Sequence, residues 1–492
     1  MRNLVDLVTG SLLASVATAQ VVRWDIEKRS DLPSLSRRLR PRADGSVEEV
    51  ITNERTRGGY FASCSVGTPS QKVTLQLDTG SSDIWVPASS ASVCEQQTSS
   101  GGGCSLGSYD PNASSTGVVV DENFEIAYVD NSYSRGVYIA ETFGIGDVEL
   151  QNMTMGLGLD TDIAYGLVGV GYALNEAADQ VYDNLPIVMQ KEGHIQTNAY
   201  SLWLNDLDAS KGNILFGGVD TDKYMGDLTR VNVEKDAQSG RFTSFTVKLT
   251  SLEAHSSSGE DALSSTEFPV PVVLDSGTTL SYLPQDLAEQ VWQEVGAQYY
   301  EEAGAPLLPC SLAGNDGYFV FGFGGTGGPA IKVSMDELVL PAFRDETPLP
   351  DGPYQGQAAC QFGIQNTSSS AGSHFLLGDT FLRSAYVVYD LENNEIGMAA
   401  TDFNATTSNI VPFPSQGAEI PSSTPAPNQD KDNSGPSSEP AYNARSGFAA
   451  QSSSDGGNSA GSMPPALDFA QMMVMGGSMG LMMFGGGMFL LF

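Results

Sequence analysis

One short motif occurs twice in this chain, and the repeat constrains the fold more than any other feature. Each copy is an apolar run followed by Asp, a hydroxyl residue, Gly and two more hydroxyl residues, and the two aspartates lie 197 residues apart. A single Asp-Thr-Gly sequence is common at a strand end, whereas two copies at this separation indicate a duplicated half. The copies are Leu77-Asp78-Thr79-Gly80-Ser81-Ser82 and Leu274-Asp275-Ser276-Gly277-Thr278-Thr279.

The two aspartates of the repeat predict a pair of facing carboxyl groups. If the halves pair about a pseudo-two-fold axis, Asp78 and Asp275 meet across it. Two close carboxylates cannot both ionise cheaply, so they share one proton and titrate as a coupled pair. One can then draw a proton from water while the other protonates a carbonyl oxygen. This chemistry hydrolyses a peptide bond without a metal or a covalent intermediate.

The other residues of each copy are suited to support that pair. The glycine allows a sharp turn that brings a backbone N–H close to the carboxylate. The first hydroxyl residue can bond across to the opposite loop, and the second can donate to the carboxylate of its own loop. These predicted supporting residues are Thr79, Gly80, Ser81, Ser276, Gly277 and Thr278.

Residues 43–403 are predicted to be mainly β. Short runs of branched and aromatic residues are separated by turns of Gly, Pro, Asn and Ser, a pattern typical of strands. The strand-like runs are residues 73–77, 244–249, 270–274 and 386–389. The apolar spacing in residues 284–299 indicates a helix instead.

Residues 59–402 resemble the pepsin-like aspartic proteases, and most closely the fungal GPI-anchored subgroup of yapsins and candidapepsin-like enzymes. The resemblance implies a bilobal acid protease fold, with two pseudo-symmetric β-barrel-like lobes and an active cleft between them. It also implies an aspartic endopeptidase that needs no cofactor and no metal. Besides the repeat, it rests on Tyr60-Phe61, Gly67-Thr68-Pro69, Gly166-Leu-Val-Gly169, Leu215-Phe-Gly-Gly-Val-Asp220 and Phe375-Leu-Leu-Gly-Asp-Thr-Phe-Leu-Arg383.

The resemblance further implies a flap that closes over the substrate and excludes water. The flap tyrosine falls on Tyr128, with Trp85 as its partner, and a core aromatic is the alternative interpretation of Tyr128. The next residue is Val129, where the family usually has Gly, which alters the expected shape of the flap. Asp130 on the flap and Asp83 beside the first loop are hypothesised contacts for basic substrate side chains. Solvated surface acids are the alternative.

Four of the five cysteines match the usual disulfides of the family. The resemblance implies the pairs Cys94–Cys104 and Cys310–Cys360, which a secreted chain permits. Cys64 is left over on a predicted strand, where we expect a buried thiol. With three His and five Cys in no close cluster, the sequence argues against a zinc site.

The start of the chain differs in charge from the rest. Residues 1–42 carry a balance of +4, against −39 for the remainder. Residues 1–19 begin with Met-Arg, contain a short apolar run and end in Ala-Thr-Ala, which predicts a secretory signal. Dibasic pairs at Lys28-Arg29 and within residues 37–42 are typical of convertase sites, so residues 20–42 are predicted to be a propeptide. A solvated basic run is the alternative.

The end of the chain changes composition near residue 403. Residues 404–458 are rich in Ser, Pro, Asn and Gly, which predicts a disordered stalk. Small residues, a spacer and an uncharged tail over residues 459–492 form the pattern of a GPI-attachment signal, with Asn458 as the attachment residue. A transmembrane helix is the alternative, weakened by the glycines of the tail and the lack of a positive flank. Four N-glycosylation sequons fit the secretory route: Asn112, Asn152, Asn366 and Asn404.

Together these features predict six parts and a limited set of partners. The net charge of −35 argues against nucleic acid and against docking on anionic lipid through a basic face. We expect a monomer that acts on proteins and peptides and meets the membrane only through a lipid anchor, on the outer face of the plasma membrane or in the cell wall. The parts are a signal (1–19), a propeptide (20–42), an N-terminal lobe (43–235), a C-terminal lobe (236–403), a stalk (404–458) and an attachment signal (459–492).

Two other functions are compatible with parts of this pattern. An inactive cell-surface or cell-wall binding protein could share the fold, but both aspartates and every loop hydroxyl are present. A glycosidase could use two carboxylates, but it gives no reason for the repeated motif.

The acidic body favours cationic substrates, and a preference for basic or for hydrophobic flanking residues stays open. We expect an acidic optimum, because the dyad must carry one proton.

Overall fold

The computed structural model describes residues 21–29, 59–95, 103–128, 132–146, 148–209, 211–301, 303–341, 348–349, 354–367, 375–429 and 448. These residues are mainly β, as predicted, and belong to one compact unit. Asp130 and Asn458 lie outside the described residues, as do most of the predicted propeptide and the whole attachment signal.

The described residues form 28 strands and five short α-helices. The first strands are β1 Val22–Arg29, β2 Gly59–Val66, β3 Gln71–Asp78, β4 Ile84–Pro87, β5 Val118–Ala127, β6 Tyr133–Ile145, β7 Val148–Thr161, β8 Leu167–Gly169, β9 Ala199–Trp203, β10 Lys211–Phe216, β11 Gly218–Asp220, β12 Tyr224–Asn232, β13 Thr246–Ser256 and β14 Gly259–Leu263. The others are β15 Val270–Leu274, β16 Ser281–Pro284, β17 Gln298–Tyr300, β18 Ala305–Pro309, β19 Tyr318–Phe323, β20 Ala330–Ser334, β21 Val339–Pro341, β22 Ala359–Phe362, β23 Ile364–Thr367, β24 Phe375–Leu377, β25 Ala385–Asp390, β26 Glu395–Thr401, β27 Ile410–Pro412 and β28 Ser423–Pro425. The helices are α1 Ser92–Glu95, α2 Leu185–Lys191, α3 Gln285–Val295, α4 Met335–Leu338 and α5 Asp379–Leu382.

The sequence repeat is also a structural repeat. Strand β3 carries Asp78 at its end and pairs in parallel with β8, which pairs antiparallel with β4. Strand β15 ends immediately before Asp275 and pairs in parallel with β24, which pairs antiparallel with β16. Both aspartates therefore stand at the same place in equivalent three-strand units, as a duplicated half requires.

Two large sheets contain most of the strands. A 14-stranded sheet has the order β28-β12-β26-β25-β9-β10-β1-β2-β3-β8-β4-β7-β6-β5, and it joins strands from both ends of the chain. An eight-stranded sheet has the order β20-β19-β13-β15-β24-β16-β23, with β14 paired to β13. Smaller sheets are formed by β17-β18-β22-β21 and by β11-β27. Each large sheet thus contains one of the two aspartate units.

Strand β1 lies inside the 14-stranded sheet, although the sequence analysis assigns residues 20–42 to a propeptide. It pairs antiparallel with β10 on one side and with β2 on the other. Its side chains alternate between buried and exposed, with Trp24 and Ile26 in the core. The Trp24 indole donates to the Ser63 carbonyl oxygen at 3.0 Å. This segment is therefore part of the folded body of the unprocessed chain.

The folded body also extends past residue 403, where the sequence analysis begins the stalk. Strand β27 pairs with β11, and β28 pairs in parallel with β12. Phe413 and Ile420 are buried against these strands. Further on, the Phe448 ring stacks on Phe319 with 5.4 Å between the ring centroids. Residues 404–429 are thus structured, because a few apolar side chains anchor an otherwise polar segment.

The predicted helix over residues 284–299 forms, but it is shorter. Helix α3 ends at Val295 because Gly296 adopts a left-handed conformation with φ of 71°, which commonly terminates helices. Residues 298–300 then form β17. Among the described residues, no helix combines the length and apolar character needed to cross a membrane.

The placement of β1 leads to a stability prediction for the unprocessed chain. Replacing the fully buried Ile26 by Ala should lower the free energy of unfolding by about 2–5 kcal/mol, the usual cost of such a cavity. Glu27→Ala on the exposed face of the same strand should change it by no more than about 0.5 kcal/mol. Urea unfolding of both variants provides the measurement, and equal effects would show that β1 does not pack as described.

Candidate active site

The two aspartate loops hold their carboxylates in matching sets of hydrogen bonds. In the first loop, the Gly80 N–H donates to Asp78 Oδ1 at 2.8 Å and the Ser81 hydroxyl donates to Oδ2 at 2.5 Å. In the second, the Gly277 N–H donates to Asp275 Oδ1 at 2.8 Å. The Thr278 hydroxyl donates to Asp275 Oδ2 at 2.6 Å. Each carboxyl group is therefore oriented by its own loop.

Reciprocal hydrogen bonds join the two loops. The Thr79 hydroxyl donates to the Leu274 carbonyl oxygen and accepts from the Ser276 N–H, both at 2.9 Å. The Ser276 hydroxyl donates to the Leu77 carbonyl oxygen at 3.1 Å and accepts from the Thr79 N–H at 3.2 Å. All of these groups are buried. The hydroxyls thus connect the loops through backbone atoms, as the sequence analysis predicts.

The loops bring the two carboxyl groups together at their glycines. A Cβ on Gly80 would lie 2.5 Å from Asp275 Oδ1, and one on Gly277 would overlap Asp78 Oδ1. Asp78 is 4% exposed and Asp275 is 8% exposed. Burial, and then the neighbouring Asp78 charge, raise the pKa of Asp275 to about 7, and a hydrogen bond between the two carboxyls acts in the same direction. The pair is therefore suited to hold one shared proton.

A strand passes close behind each loop, at a glycine that leaves no room for a side chain. A Cβ on Gly169, at the end of β8, would lie 2.6 Å from the Ser82 nitrogen. A Cβ on Gly378, after β24, would overlap the Thr278 and Leu280 carbonyl oxygens. These glycines belong to two of the segments on which the family resemblance rests. They let the supporting strands approach the aspartates closely.

Strands β5 and β6 form a hairpin that carries the predicted flap tyrosine. The Tyr128 N–H donates to the Ser132 carbonyl oxygen at 2.9 Å, close to the end of the hairpin. The Trp85 indole N–H donates to the Tyr128 hydroxyl at 2.8 Å, so these two residues are partners, as expected. The tyrosine is only partly buried, which distinguishes it from a core aromatic. Val129 and Asp130 lie outside the described residues.

The structure places Asp83 differently from the hypothesis of a contact for basic substrates. Asp83 is 1% exposed, and its carboxylate accepts hydrogen bonds from the Tyr138 and Tyr182 hydroxyls and from the Ala177 N–H. A carboxylate with its oxygens turned toward protein donors does not meet a substrate side chain. The hypothesis is therefore wrong for Asp83.

Sequence reasoning also missed residues that support the loops. The Gln76 side chain donates to the Gly277 carbonyl oxygen at 3.3 Å. In the sequence, Gln76 stands out only as a polar residue within an apolar run. Arg383 is fully buried and forms an ion pair with Glu337, which lies 46 residues earlier in the chain. The Asp379 N–H of the same segment donates to the Thr278 carbonyl oxygen at 2.9 Å. A buried ion pair thus lies close to the segment behind the second loop.

The structure also locates the cysteines and the sequons. Both expected disulfides are present, Cys94–Cys104 and Cys310–Cys360, and Cys64 is a buried free thiol. Three sequon asparagines are exposed, and the fourth, on β23, is partly buried. The exposed ones are Asn112, Asn152 and Asn404, and the one on the strand is Asn366.

Comparison with known proteins agrees with this geometry. The family model of the eukaryotic aspartyl proteases matches residues 59–401. The chain is 39% identical over 416 residues to the probable aspartic-type endopeptidase opsB of Aspergillus fumigatus, covering 82% of this chain and 81% of that protein. It is 36% identical over 381 residues to an acid protease of Saccharomycopsis fibuligera, covering 75% and 87% of the two chains.

A third relative is secreted aspartic protease 3 of Candida albicans, with 34% identity over 369 residues, or 74% of this chain and 84% of the relative. The family match includes both aspartate loops, the flap hairpin and the strands behind the loops. This chain therefore belongs to the eukaryotic aspartyl protease family.

Proposed function

We propose that this chain is an aspartic endopeptidase that hydrolyses peptide bonds at acidic pH through Asp78 and Asp275. The observation that carries the proposal is the meeting of two buried carboxyl groups, each held by a glycine N–H and a hydroxyl of its own loop. Such a pair is pre-organised to move protons, because its donors are already in place before substrate binds. The relatives named as endopeptidases support the same reaction.

The raised pKa of Asp275 suggests a role for each aspartate. We assign the shared proton to Asp275, whose pKa is raised by burial and by the neighbouring Asp78 charge, so that Asp275 is the acid and Asp78 is the base. Asp78 takes a proton from water while the water oxygen attacks the peptide carbonyl carbon, and Asp275 gives its proton to the carbonyl oxygen. The resulting gem-diol collapses as its C–N bond breaks. The leaving nitrogen takes the proton from Asp78, and one hydroxyl proton returns to Asp275.

The geometry also separates this function from the two alternatives. The carboxyl groups of a glycosidase lie about 5 Å or more apart to admit a sugar or a water, whereas the carboxyl groups of Asp78 and Asp275 both lie against the loop glycine Gly277. An inactive binding protein would not need the matching donors to each carboxylate. Proteolysis is therefore the function best supported by these contacts.

The first prediction concerns the aspartates themselves. Asp78→Asn and Asp275→Asn should each lower kcat for a peptide substrate by about 10³-fold or more, because general acid–base catalysis typically contributes 10²–10⁴-fold. A statine-type peptide, which mimics the gem-diol, should block the unmodified enzyme. Asp227→Asn, on an exposed part of β12, is the matched control and should retain full activity. Equal turnover by all four proteins would contradict the proposal.

The second prediction concerns pH. Activity requires one proton on the pair, so kcat/KM should fall as pH rises toward 7, where Asp275 loses its proton. The folded-state pKa lies above the unfolded value of about 4. The associated stability is therefore present below about pH 4 and lost as pH rises through about 7.

Urea unfolding between pH 4 and pH 7 tests the direction of this change in stability. The unmodified protein should lose more stability over that interval than Asp275→Asn, whose amide does not titrate. The Asp227→Asn control should follow the unmodified protein. A larger loss in Asp275→Asn than in the unmodified protein would contradict the assignment.

We further propose secretion and a GPI anchor at Asn458, on the sequence patterns of the two ends and on the relative named as secreted. An epitope fused after Phe492 provides the test, because attachment of the anchor removes the tail whereas a transmembrane helix keeps it. We expect surface protein that lacks the epitope and is released by a phosphatidylinositol-specific phospholipase. A chain ending at residue 458 should appear in the medium, and retention of the epitope at the surface would contradict the anchor.

A further inference from the structure

We propose that Asp83 is a positioning residue that holds one wall of the substrate cleft against the flap hairpin. The wall is residues 173–182, called here the 173–182 segment, which begins with the 3₁₀ helix Ala173–Asn175. The inference rests on the proposed protease function and assigns a residue that controls how its substrate is seated.

The Asp83 carboxylate connects two separate parts of the chain. Its Oδ1 accepts from the Tyr138 hydroxyl at 2.9 Å and from the Tyr182 hydroxyl at 2.8 Å, and its Oδ2 accepts from the Ala177 N–H at 2.8 Å. Tyr138 belongs to β6 of the flap hairpin, whereas Ala177 and Tyr182 belong to the 173–182 segment. One buried group therefore sets the spacing between them.

The carboxylate suits this role because it can accept several hydrogen bonds at once. A buried charge is costly unless hydrogen-bond donors surround it. Removing one donor therefore leaves the carboxylate less completely compensated. The two tyrosine rings also contact each other, with centroids 5.7 Å apart. Asp83 thus holds the tyrosines in one arrangement rather than simply filling space.

The same segment contacts the catalytic loop. The Asn175 side chain donates to the Gly80 carbonyl oxygen at 3.3 Å, and Gly80 bears the N–H that orients Asp78. Ala178, Tyr182 and the flap residue Tyr128 all pack against the apolar cluster that contains Trp85. The 173–182 segment therefore contacts both the first aspartate loop and the cluster at the flap, the two parts between which the proposed function places the substrate.

The repeat shows that the reaction itself does not require this acid. Asp83 stands five residues after Asp78, and the matching position after Asp275 is Leu280, which is also buried. The carboxylate sites are otherwise alike in their donors. The acid is present only in the half that carries the flap, so its role concerns the seating of substrate rather than proton transfer.

Steady-state kinetics on a long peptide substrate test the proposal. Asp83→Asn keeps the volume but loses acceptor capacity, and Tyr182→Phe removes a single donor while Asp83 remains. Each should raise KM by about tenfold with less than about a threefold loss of kcat, the pattern expected when binding alone is weakened. Tyr299→Phe, at an exposed tyrosine of β17 outside the flap hairpin and the 173–182 segment, is the matched control and should leave both constants unchanged.

The double variant and hydrogen exchange make the test specific. Adding Tyr182→Phe to Asp83→Asn should raise KM by less than the product of the single effects, because both act through one network. Amides of the 173–182 segment should exchange faster in Asp83→Asn than in the unmodified protein, whether or not the enzyme turns over. Tyr182→Phe provides the same readouts if Asp83→Asn does not fold.

The outcomes separate this proposal from the proposed function. No cleavage by the unmodified protein would overturn the protease function, and unchanged exchange in the 173–182 segment would then overturn the role of Asp83 as well. Normal cleavage by the unmodified protein with unchanged KM in folded Asp83→Asn and Tyr182→Phe would overturn the role of Asp83 alone. A large fall in kcat with constant KM would also overturn it, since that pattern indicates chemistry rather than seating.

Discussion

The reciprocal hydrogen bonds between Thr79 and Ser276 are the interaction on which the catalytic geometry depends. Each hydroxyl both donates to a carbonyl oxygen and accepts from an N–H of the opposite loop, so four buried backbone groups are satisfied at once. Because these are backbone atoms, the separation of Asp78 and Asp275 follows from the placement of two strands rather than from side-chain rotamers. A different pairing of the halves would leave those groups without partners, at a cost that buried polar groups rarely bear.

The parts that could be predicted from sequence are those encoded locally. The motif around Asp78 predicts its own turn, its N–H donor and its hydroxyl donor, since all lie within four residues. Its recurrence at Asp275 predicts that the carboxyl groups meet. The pairing of Trp85 with Tyr128 spans 43 residues and came from the family resemblance alone. Local chemistry therefore predicts the dyad, whereas family knowledge was required for the flap.

The features that could not be predicted depend on long-range pairing. Asp83 lies 55 and 99 residues before the two tyrosines that donate to it, and no sequence periodicity relates those positions. The sequence analysis assigns residues 404–458 to a stalk because their average composition is polar. Three apolar residues within 404–429 are nonetheless buried, namely Phe413, Ile420 and Ala426. Composition averaged over a segment conceals single anchoring side chains, and a three-residue strand such as β27 is too short to show alternation.

The inner position of β1 has a consequence for maturation by proteolysis. The segment that follows it contains the basic run 37–42, and residues 20–42 contain no cysteine. A cut within that run would leave β1 held by noncovalent contacts alone, chiefly its two ladders and buried side chains such as Trp24 and Ile26, so the product would be a two-chain complex rather than a shortened chain. Its stability would depend on protein concentration. Loss of the peptide would expose the edges of β10 and β2, which are templates for aggregation unless another strand replaces it.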